Sequence, residues 1–310
     1  MHNTIINTRN IDLSASPLLG EGQCSQVFEY GDDCVVKLFY DNLPQEAIRH
    51  EYNTMRTCFE NGLAAVNCYE LVSYQGRIGI LMQKVSGISL EQAVLEHPEK
   101  LPFFAEKMAL NLASIHAKHS SGASMPAADR FYADCIDKCL SGHWITEEEH
   151  RKLHALVEAI PTQNGMIHGD YHVLNMMIEQ DEIRMIDLAD VQLGHPIYDL
   201  LIANIYLHFM PLNMTDLYRT LIKLAPEDSC RMWDIFLKTY FRTDDEARLD
   251  RIKELLDQYS LVKIMLAPFS FSNLPEGQAG ELVNMARTSL MPVIDSMIGR
   301  IPDSILALEL

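Results

Sequence analysis

The feature that most restricts the fold of this chain is a change of hydrophobic period near residue 85. Before it, short runs rich in β-branched and aromatic residues alternate with turn residues. These are Leu18 to Tyr30 around a glycine-rich turn, Cys34 to Tyr40, Cys68 to Tyr74 and Arg77 to Lys84, the last two joined at Gln75-Gly76. One helix is predicted among them, opening at Pro44, carrying Ile48, Tyr52, Met55 and Phe59 at helical spacing, and stopping at Asn61-Gly62. Beyond Val85 the period is mostly helical. Ser89 with Gln92 reads as a capping box before Leu90 to His97, and a longer helix follows from Pro102 to His119. Thr146 with Glu149 opens another, running to Ile160. A strand-and-loop stretch from Met166 to Leu188 precedes helices over Pro196 to Phe209, Pro226 to Phe241, Asp244 to Tyr259 and Gly280 to Ile298. The pattern predicts an α+β chain with a strand-rich N-terminal lobe, residues 1–84, and a mainly helical C-terminal lobe, residues 85–310, hinged at Gln83 to Gly87.

A chain of 310 residues with 48% hydrophobic content can bury two cores of this kind. The excess of 43 acidic over 25 basic residues, a formal net charge of −18, opposes nonspecific attraction to nucleic acid and favours a cationic small partner. Seven cysteines, odd in number and scattered, do not form a disulfide framework and point to a reducing compartment. Met1 to Asn7 lacks a basic region followed by an apolar run, and no stretch has the roughly 18 consecutive apolar residues of a membrane span. The expectation is a cytoplasmic protein without nucleic-acid or membrane partners, whose oligomeric state the sequence does not set.

The chemistry concentrates in His168-Gly169-Asp170-Tyr171-His172-Val173-Leu174-Asn175, followed by Ile186-Asp187-Leu188-Ala189-Asp190. Phosphoryl transfer requires a carboxylate that orients the acceptor, and oxygen ligands that hold Mg²⁺ against nucleotide phosphates. Asp170 suits the first role, Asn175 and Asp187 the second. In the N-terminal lobe, Gly20-Glu21-Gly22-Gln23-Cys24-Ser25 lies between two predicted strands. A dinucleotide-binding βαβ unit is excluded there, because a strand follows where a helix belongs and Ser25 replaces the third glycine. Lys37 sits inside the apolar run Val35-Val36-Lys37-Leu38-Phe39, where a buried ammonium requires an anionic partner.

These motifs, with Gly194-His195-Pro196-Ile197-Tyr198-Asp199-Leu200 downstream, resemble the aminoglycoside phosphotransferase and choline kinase group of the protein-kinase-like superfamily. Its signature has the form H-G-D-x-x-x-x-N, then a strand bearing a metal-binding Asp, then G-x-P-x-Y-D-L. The resemblance implies a bilobal protein-kinase-like fold with a small antiparallel sheet in the first lobe. It also implies transfer of the γ-phosphoryl of ATP or GTP, with Mg²⁺, to a hydroxyl of a small acceptor. Asp170 would be the catalytic base and Asn175 and Asp187 the metal ligands, with His168 and Asp199 supporting the catalytic loop. Gly20, Gly22 and Ser25 would cover the phosphates. Lys37 would contact them and pair with a helix glutamate, Glu51 ahead of Glu46. Backbone groups of Gln83, Lys84 and Val85 would face the base, with Met82 guarding the inner pocket. Asp190 is left open between metal or substrate and solvent.

Protein kinases share this logic but need a long activation segment, for which Asp187 to Pro196 leaves no room. A small-molecule acceptor is therefore expected, and the resemblance together with the net charge implies an amino sugar or similar metabolite ahead of choline, homoserine or a sugar. A noncatalytic nucleotide-binding relic is the opposing class. Acidic residues Glu147, Glu148, Asp228, Asp234, Asp244 and Asp245 are candidates to attract an ammonium group. Cys135, Cys139 and His143 share helical spacing but lack a fourth zinc ligand. His116 reads as part of a packing helix and His119 as a helix-end cation. Cys24 reads as an incidental small residue of the glycine-rich turn.

Overall fold

The computed structural model describes residues 7–22, 24–119, 125–271, 274 and 277–298. Two compact units account for these. The first combines the chain through Leu90 with Leu174–Asp190, and the second holds Glu91–Val173 and the chain from Val191 onward. The division is thus not a single cut at residue 84.

The first unit is built on a six-stranded sheet, ordered β1-β5-β6-β4-β3-β2. Its strands are β1 (Arg9–Asn10), β2 (Leu18–Glu21), β3 (Ser25–Glu29), β4 (Cys34–Phe39), β5 (Cys68–Tyr74) and β6 (Arg77–Gln83). All pairings are antiparallel except that of the short edge strand β1, which runs parallel to β5 and was not readable from two residues. Side chains alternate across a strand. In β4, Val36 and Leu38 therefore join Ile11, Leu13, Val72 and Leu81 in one apolar cluster. Val35, Lys37 and Phe39 point to the opposite side, and Lys37 there meets the helix α1 (Gln45–Glu60). Pro44 caps that helix rather than entering it, and Asn61 closes it. Ile48 and Met55 are buried as the spacing predicts and Tyr52 is half-buried, whereas Phe59 faces out and its neighbour Cys58 is buried instead.

A second sheet of three strands completes this unit, ordered β10-β9-β7 with β7 (Ile88–Ser89), β9 (Met176–Glu179) and β10 (Glu182–Met185). Ser89 thus serves as a strand residue paired with Met177. Gly87 is required just before it, since a Cβ there would stand 1.9 Å from the carbonyl oxygen of Ile178.

The second unit contains α2 (Leu90–Glu96, whose first residue closes the first unit), α3 (Leu101–His116), α4 (Ala128–Ser141), α5 (Glu147–Glu158) and the short pair β8 (Met166–Ile167) and β11 (Gln192–Leu193). Beyond them come α6 (Ile197–Asn204), α7 (Met210–Asn213), α8 (Thr215–Leu221), α9 (Pro226–Tyr240), α10 (Glu246–Met265), α11 (Ala267–Ser270), α12 (Gln278–Leu290) and α13 (Ile294–Ile298). The α3 stripe Leu101, Phe104, Met108, Leu112 and Ile115 is buried, as are Met232, Trp233, Phe236 and Leu237 of the packed helix α9. Along α9 the rings of Trp233, Phe236 and Tyr240 stack in sequence at 5.1 and 5.8 Å. Each such side chain contributes about 1.5–3 kcal/mol on burial.

Three helix ends depart from the sequence expectation. Helix α3 stops at His116, because the N–H groups of Ala117 and Lys118 close onto Ala113 and Ile115 and His119 then bridges to Gly165. Helix α10 runs past Tyr259 to Met265, over a segment buried on every side and so without an amphipathic period. The stretch beyond Gly280 breaks around Pro292, which has no N–H to continue a helix. The capping box of α5 forms as read: Glu149 accepts from the Thr146 N–H at 2.8 Å and donates its own N–H to the Thr146 hydroxyl. The Arg287 guanidinium of α12 bonds both the Glu149 carboxylate, at 2.5 Å, and the Trp144 carbonyl, at 2.6 Å. Lys152 reaches Asp295 of α13 at 2.8 Å.

Candidate active site

The first unit holds one cluster of charge. Lys37 Nζ lies 2.6 Å from Glu51 Oε1 and 3.4 Å from Asp187 Oδ1. Glu51, not Glu46, is the partner, since one turn separates them and only Glu51 is buried beneath the sheet. Burial disfavours the Lys37 ammonium, but the two carboxylates outweigh it and hold the group protonated, above its ordinary value. Burial raises the Glu51 carboxyl; Lys37 opposes this, and the negative charges of Asp187 and Asp190 add to it.

Asp187 follows β10, where the Ile186 N–H donates to the Asn175 carbonyl at 3.0 Å and so brings the two sequence motifs together. Its φ is +58°, a left-handed conformation that Asp adopts more readily than a branched residue does. Backbone strain of this kind concentrates where a side chain has to be aimed. Two carboxylates thus face one ammonium, with the charge of Asp190 acting on Glu51 and the Asn175 side chain also in this unit. A hard oxygen donor set with surplus negative charge fits a divalent cation such as Mg²⁺.

The glycine-rich turn joins β2 to β3, with the Gly22 N–H donating to the Ser25 carbonyl at 2.8 Å. A Cβ on Gly20 would meet nothing within 4 Å, so the fold itself does not demand glycine there. Cys24 is exposed and reduced. At the end of β6 the N–H groups of Gln83 and Lys84 donate to the carbonyls of Asn67 and Asp33, at 2.8 and 2.9 Å. The Lys84 ammonium pairs with Glu29 at 2.5 Å. The N–H groups of two of the three residues expected to face the base with their backbone are therefore engaged within the unit, and Met82 is the β6 partner of Val35 and Cys68.

The second unit holds Asp170. Its loop is fixed from beneath by Asp199, which is fully buried on α6. Asp199 Oδ2 accepts from the His168 N–H at 2.7 Å and Oδ1 from the Gly169 N–H at 2.8 Å. His116 Nε2 is 3.0 Å from Oδ2, and the Tyr240 hydroxyl is 2.6 Å from His116 Nδ1. The Asp170 N–H donates to His168 Nδ1 at 3.2 Å, and Tyr171 donates to the Met108 carbonyl at 2.6 Å. The brace thus runs from α9 through α3 and α6 into the loop.

Around the Asp170 carboxylate stand groups that sequence reasoning did not assign. His172 Nε2 is 3.1 Å from Oδ2, and its ring lies on Tyr206 at 4.3 Å. Tyr206 is carried by a π-helical turn over residues 205–209, a local widening common at functional sites. Lys263, buried on α10, adds positive potential. Burial pushes the Asp170 carboxyl up, but His172, then Lys263 and His168, outweigh it and hold it well below the usual carboxylate range. Burial and Asp170 push the Tyr206 phenol up. An i+2 histidine was visible in the motif, but no sequence signal marks Tyr206 or Lys263.

Several other candidates have structural occupations. Glu148 and Asp234 pair with Lys152 and Lys253, at 3.7 and 2.7 Å, and Asp245 caps α10. Cys135 and Cys139 are buried thiols, the latter pushed up to about 12 by burial and by Cys135, while His143 lies beyond the helix end with a φ of +60°.

A model of the phosphotransferase enzyme family matches residues 18–221, a span that includes Lys37, Glu51, Asp170, Asp187 and Asp199. The chain belongs to the phosphotransferase enzyme family. It is accordingly a phosphotransferase. No curated protein matches the sequence significantly. Among solved structures, APH(2″)-IIa in a ternary complex with streptomycin and ATP superposes with a TM-score of 0.55 at 17% identity, covering 94% of each chain. A choline/ethanolamine kinase family protein from Mesorhizobium loti gives 0.58 at 12% identity, covering 92% of this chain and 91% of its own. The amicoumacin kinase hAmiN, in complex with AMP-PNP and Ca²⁺, gives 0.54 at 15% identity, covering 96% and 94%. This family member thus has the protein-kinase-like fold, with a sheet-rich N-terminal part and a helical C-terminal part. Among the described residues no helix is long and apolar enough to cross a membrane.

Proposed function

We propose that this phosphotransferase moves the γ-phosphoryl of ATP or GTP to a hydroxyl of an amino sugar or a similar small amine-bearing metabolite. The observation that carries the reading is the triad of Lys37, Glu51 and Asp187, with its surplus of carboxylate. A scaffold that only bound nucleotide would have no physical use for that set together with a braced Asp170. Lys37 would hold the nucleotide phosphates, and Gly20, Gly22 and Ser25 would cover them with backbone amides. Val85 would offer the N–H that reads the base, since those of Gln83 and Lys84 are engaged. Asn175 and Asp187 would hold Mg²⁺, which when bound neutralises charge on the phosphates.

Asp170 would orient the acceptor hydroxyl and take its proton as the acceptor oxygen bonds to the γ-phosphorus and the bridging P–O bond breaks, releasing the nucleoside diphosphate. Its depressed pKa suits orientation with late proton acceptance rather than early abstraction. His168 and Asp199 would keep the loop in place. The negative charge of the chain and the amine-bearing compounds named in the structures of similar fold support a cationic acceptor. A cytoplasmic location agrees with the scattered reduced cysteines.

The test is Mg²⁺-dependent phosphate transfer to aminoglycosides, choline, homoserine and simple sugars. Asp170→Asn should lower kcat far more than nucleotide affinity, because its contribution is made in the transition state. Asp187→Ala should damage metal and nucleotide binding together. Normal turnover in Asp187→Ala, or nucleotide binding with equal inactivity in wild type and Asp170→Asn across the panel, would overturn the reading.

A further inference from the structure

Helix α5 carries His150 and His154, one turn apart and on one face. Helix α4 packs against α5 and presents Asp137 to that face. His150 Nε2 stands 2.8 Å and His154 Nε2 2.9 Å from the same carboxylate oxygen, Asp137 Oδ1. The imidazole centroids are 4.5 Å apart. One ligand atom from each residue lies within 4.8 Å of the other two. Among the described residues no other group of three or more His, Cys, Asp or Glu side chains converges in this way.

We propose that Asp137, His150 and His154 form a binding site for a divalent transition-metal ion, zinc foremost, that clips α4 to α5. Zinc bonds to imidazole nitrogen and carboxylate oxygen are roughly 2.0–2.2 Å long, which sets tetrahedral donors about 3.3 Å apart. The carboxylate therefore has to withdraw by about half an ångström, and the Asp137 side chain is 62% exposed and able to do so. The two imidazole side chains are 22% and 24% exposed, so their rings are held while the fourth coordination position opens to water. Hydrogen bonds from His150 and then His154 hold the Asp137 carboxyl below its usual range.

Paired imidazoles select zinc, nickel, cobalt or copper over the hard, oxygen-seeking Mg²⁺ that a phosphotransferase needs. The site therefore discriminates between the two kinds of ion. Its residues belong to neither charge cluster described above, and the inference does not depend on the acceptor proposed for this enzyme.

The experiment is calorimetric titration of the full chain with Zn²⁺ in excess Mg²⁺, in a Cys24→Ser background that removes the exposed thiol. Imidazole nitrogen NMR and thermal melting accompany it. One Zn²⁺ should bind, shift the Nε2 resonances of His150 and His154, and raise the melting temperature relative to chelator-treated protein. His150→Ala, His154→Ala and Asp137→Ala should each weaken binding at least about tenfold, since even loss of a residue that only supports a ligand costs 10–100-fold. All three positions are on helix surfaces where alanine is a good helix former, so the variants keep the fold. No heat of Zn²⁺ binding, or binding unchanged in His150→Ala and His154→Ala, would overturn the proposal.

Discussion

Replacing Asp199 by Asn tests the brace under the Asp170 loop with the smallest change of shape. The carboxylate accepts three hydrogen bonds, from the His168 and Gly169 N–H groups and from His116 Nε2, at 2.7, 2.8 and 3.0 Å. An amide keeps one oxygen and turns an NH₂ donor toward the remaining partners. In the better orientation the oxygen serves His168 and His116, and the Gly169 N–H is orphaned against another donor. A hydrogen bond to a charged group is worth about 1.5–3 kcal/mol and a buried orphan donor costs about 1–3 kcal/mol, so the total is about 3–5 kcal/mol. For a chain of this size each kcal/mol lowers Tm by roughly 2 °C, giving a drop of about 6–10 °C. Turnover measured well below that Tm should still fall at least about tenfold, because a loop misplaced by little more than 1 kcal/mol of positioning loses that factor. His116→Gln removes one of three partners and should cost about 1–2 kcal/mol, which keeps the test readable if the first variant folds poorly. A Tm within about 2 °C of wild type in Asp199→Asn, with unchanged kcat, would refute the brace.

Three further outcomes follow from the geometry. Lys37→Ala leaves Glu51 and Asp187 facing each other without a cation, and should lower stability by about 3–5 kcal/mol in urea titration as well as weaken nucleotide binding. Because His172 holds the Asp170 carboxyl below its unfolded value, their interaction stabilises above about pH 4 and fades as the pH falls through the folded value. The Tm difference between wild type and Asp170→Asn should accordingly shrink from pH 5 toward pH 2, and a difference that grew would contradict that sign. Lys263→Met should raise the pKa of Asp170 and lower kcat with little change in the KM for nucleotide, as read from pH–rate profiles.

Much of this was legible in the chain because each signal was local. Lys37 inside an apolar strand required an anionic partner, and the resemblance named Glu51 ahead of Glu46, which is the pair that forms. What the sequence withheld depended on distance or on backbone shape. His116 looks like any histidine closing an apolar helix until Asp199, 83 residues away, is known to face it. Tyr206 reaches His172 from a π-helical turn, which leaves no mark in a pattern of 3.6-residue period. Lys263 sits where α10 is buried all round, so its burial breaks the amphipathic rule by which the helix end was read. Leu174–Asp190 joins the first unit through β9, whose pairing with the two residues of β7 is too short to read from sequence.

Arg287 grips both the Glu149 carboxylate and the Trp144 carbonyl, and Asp295 holds Lys152. Helix α5 is thereby buckled by chain synthesised more than a hundred residues later. On the ribosome, a nascent polypeptide that has not yet emerged past Arg287 possesses every residue of the α4 and α5 hairpin but not its clasp. That hairpin should stay open to proteases until translation has passed Asp295, and a truncation before Arg287 should loosen a region encoded more than a hundred codons upstream.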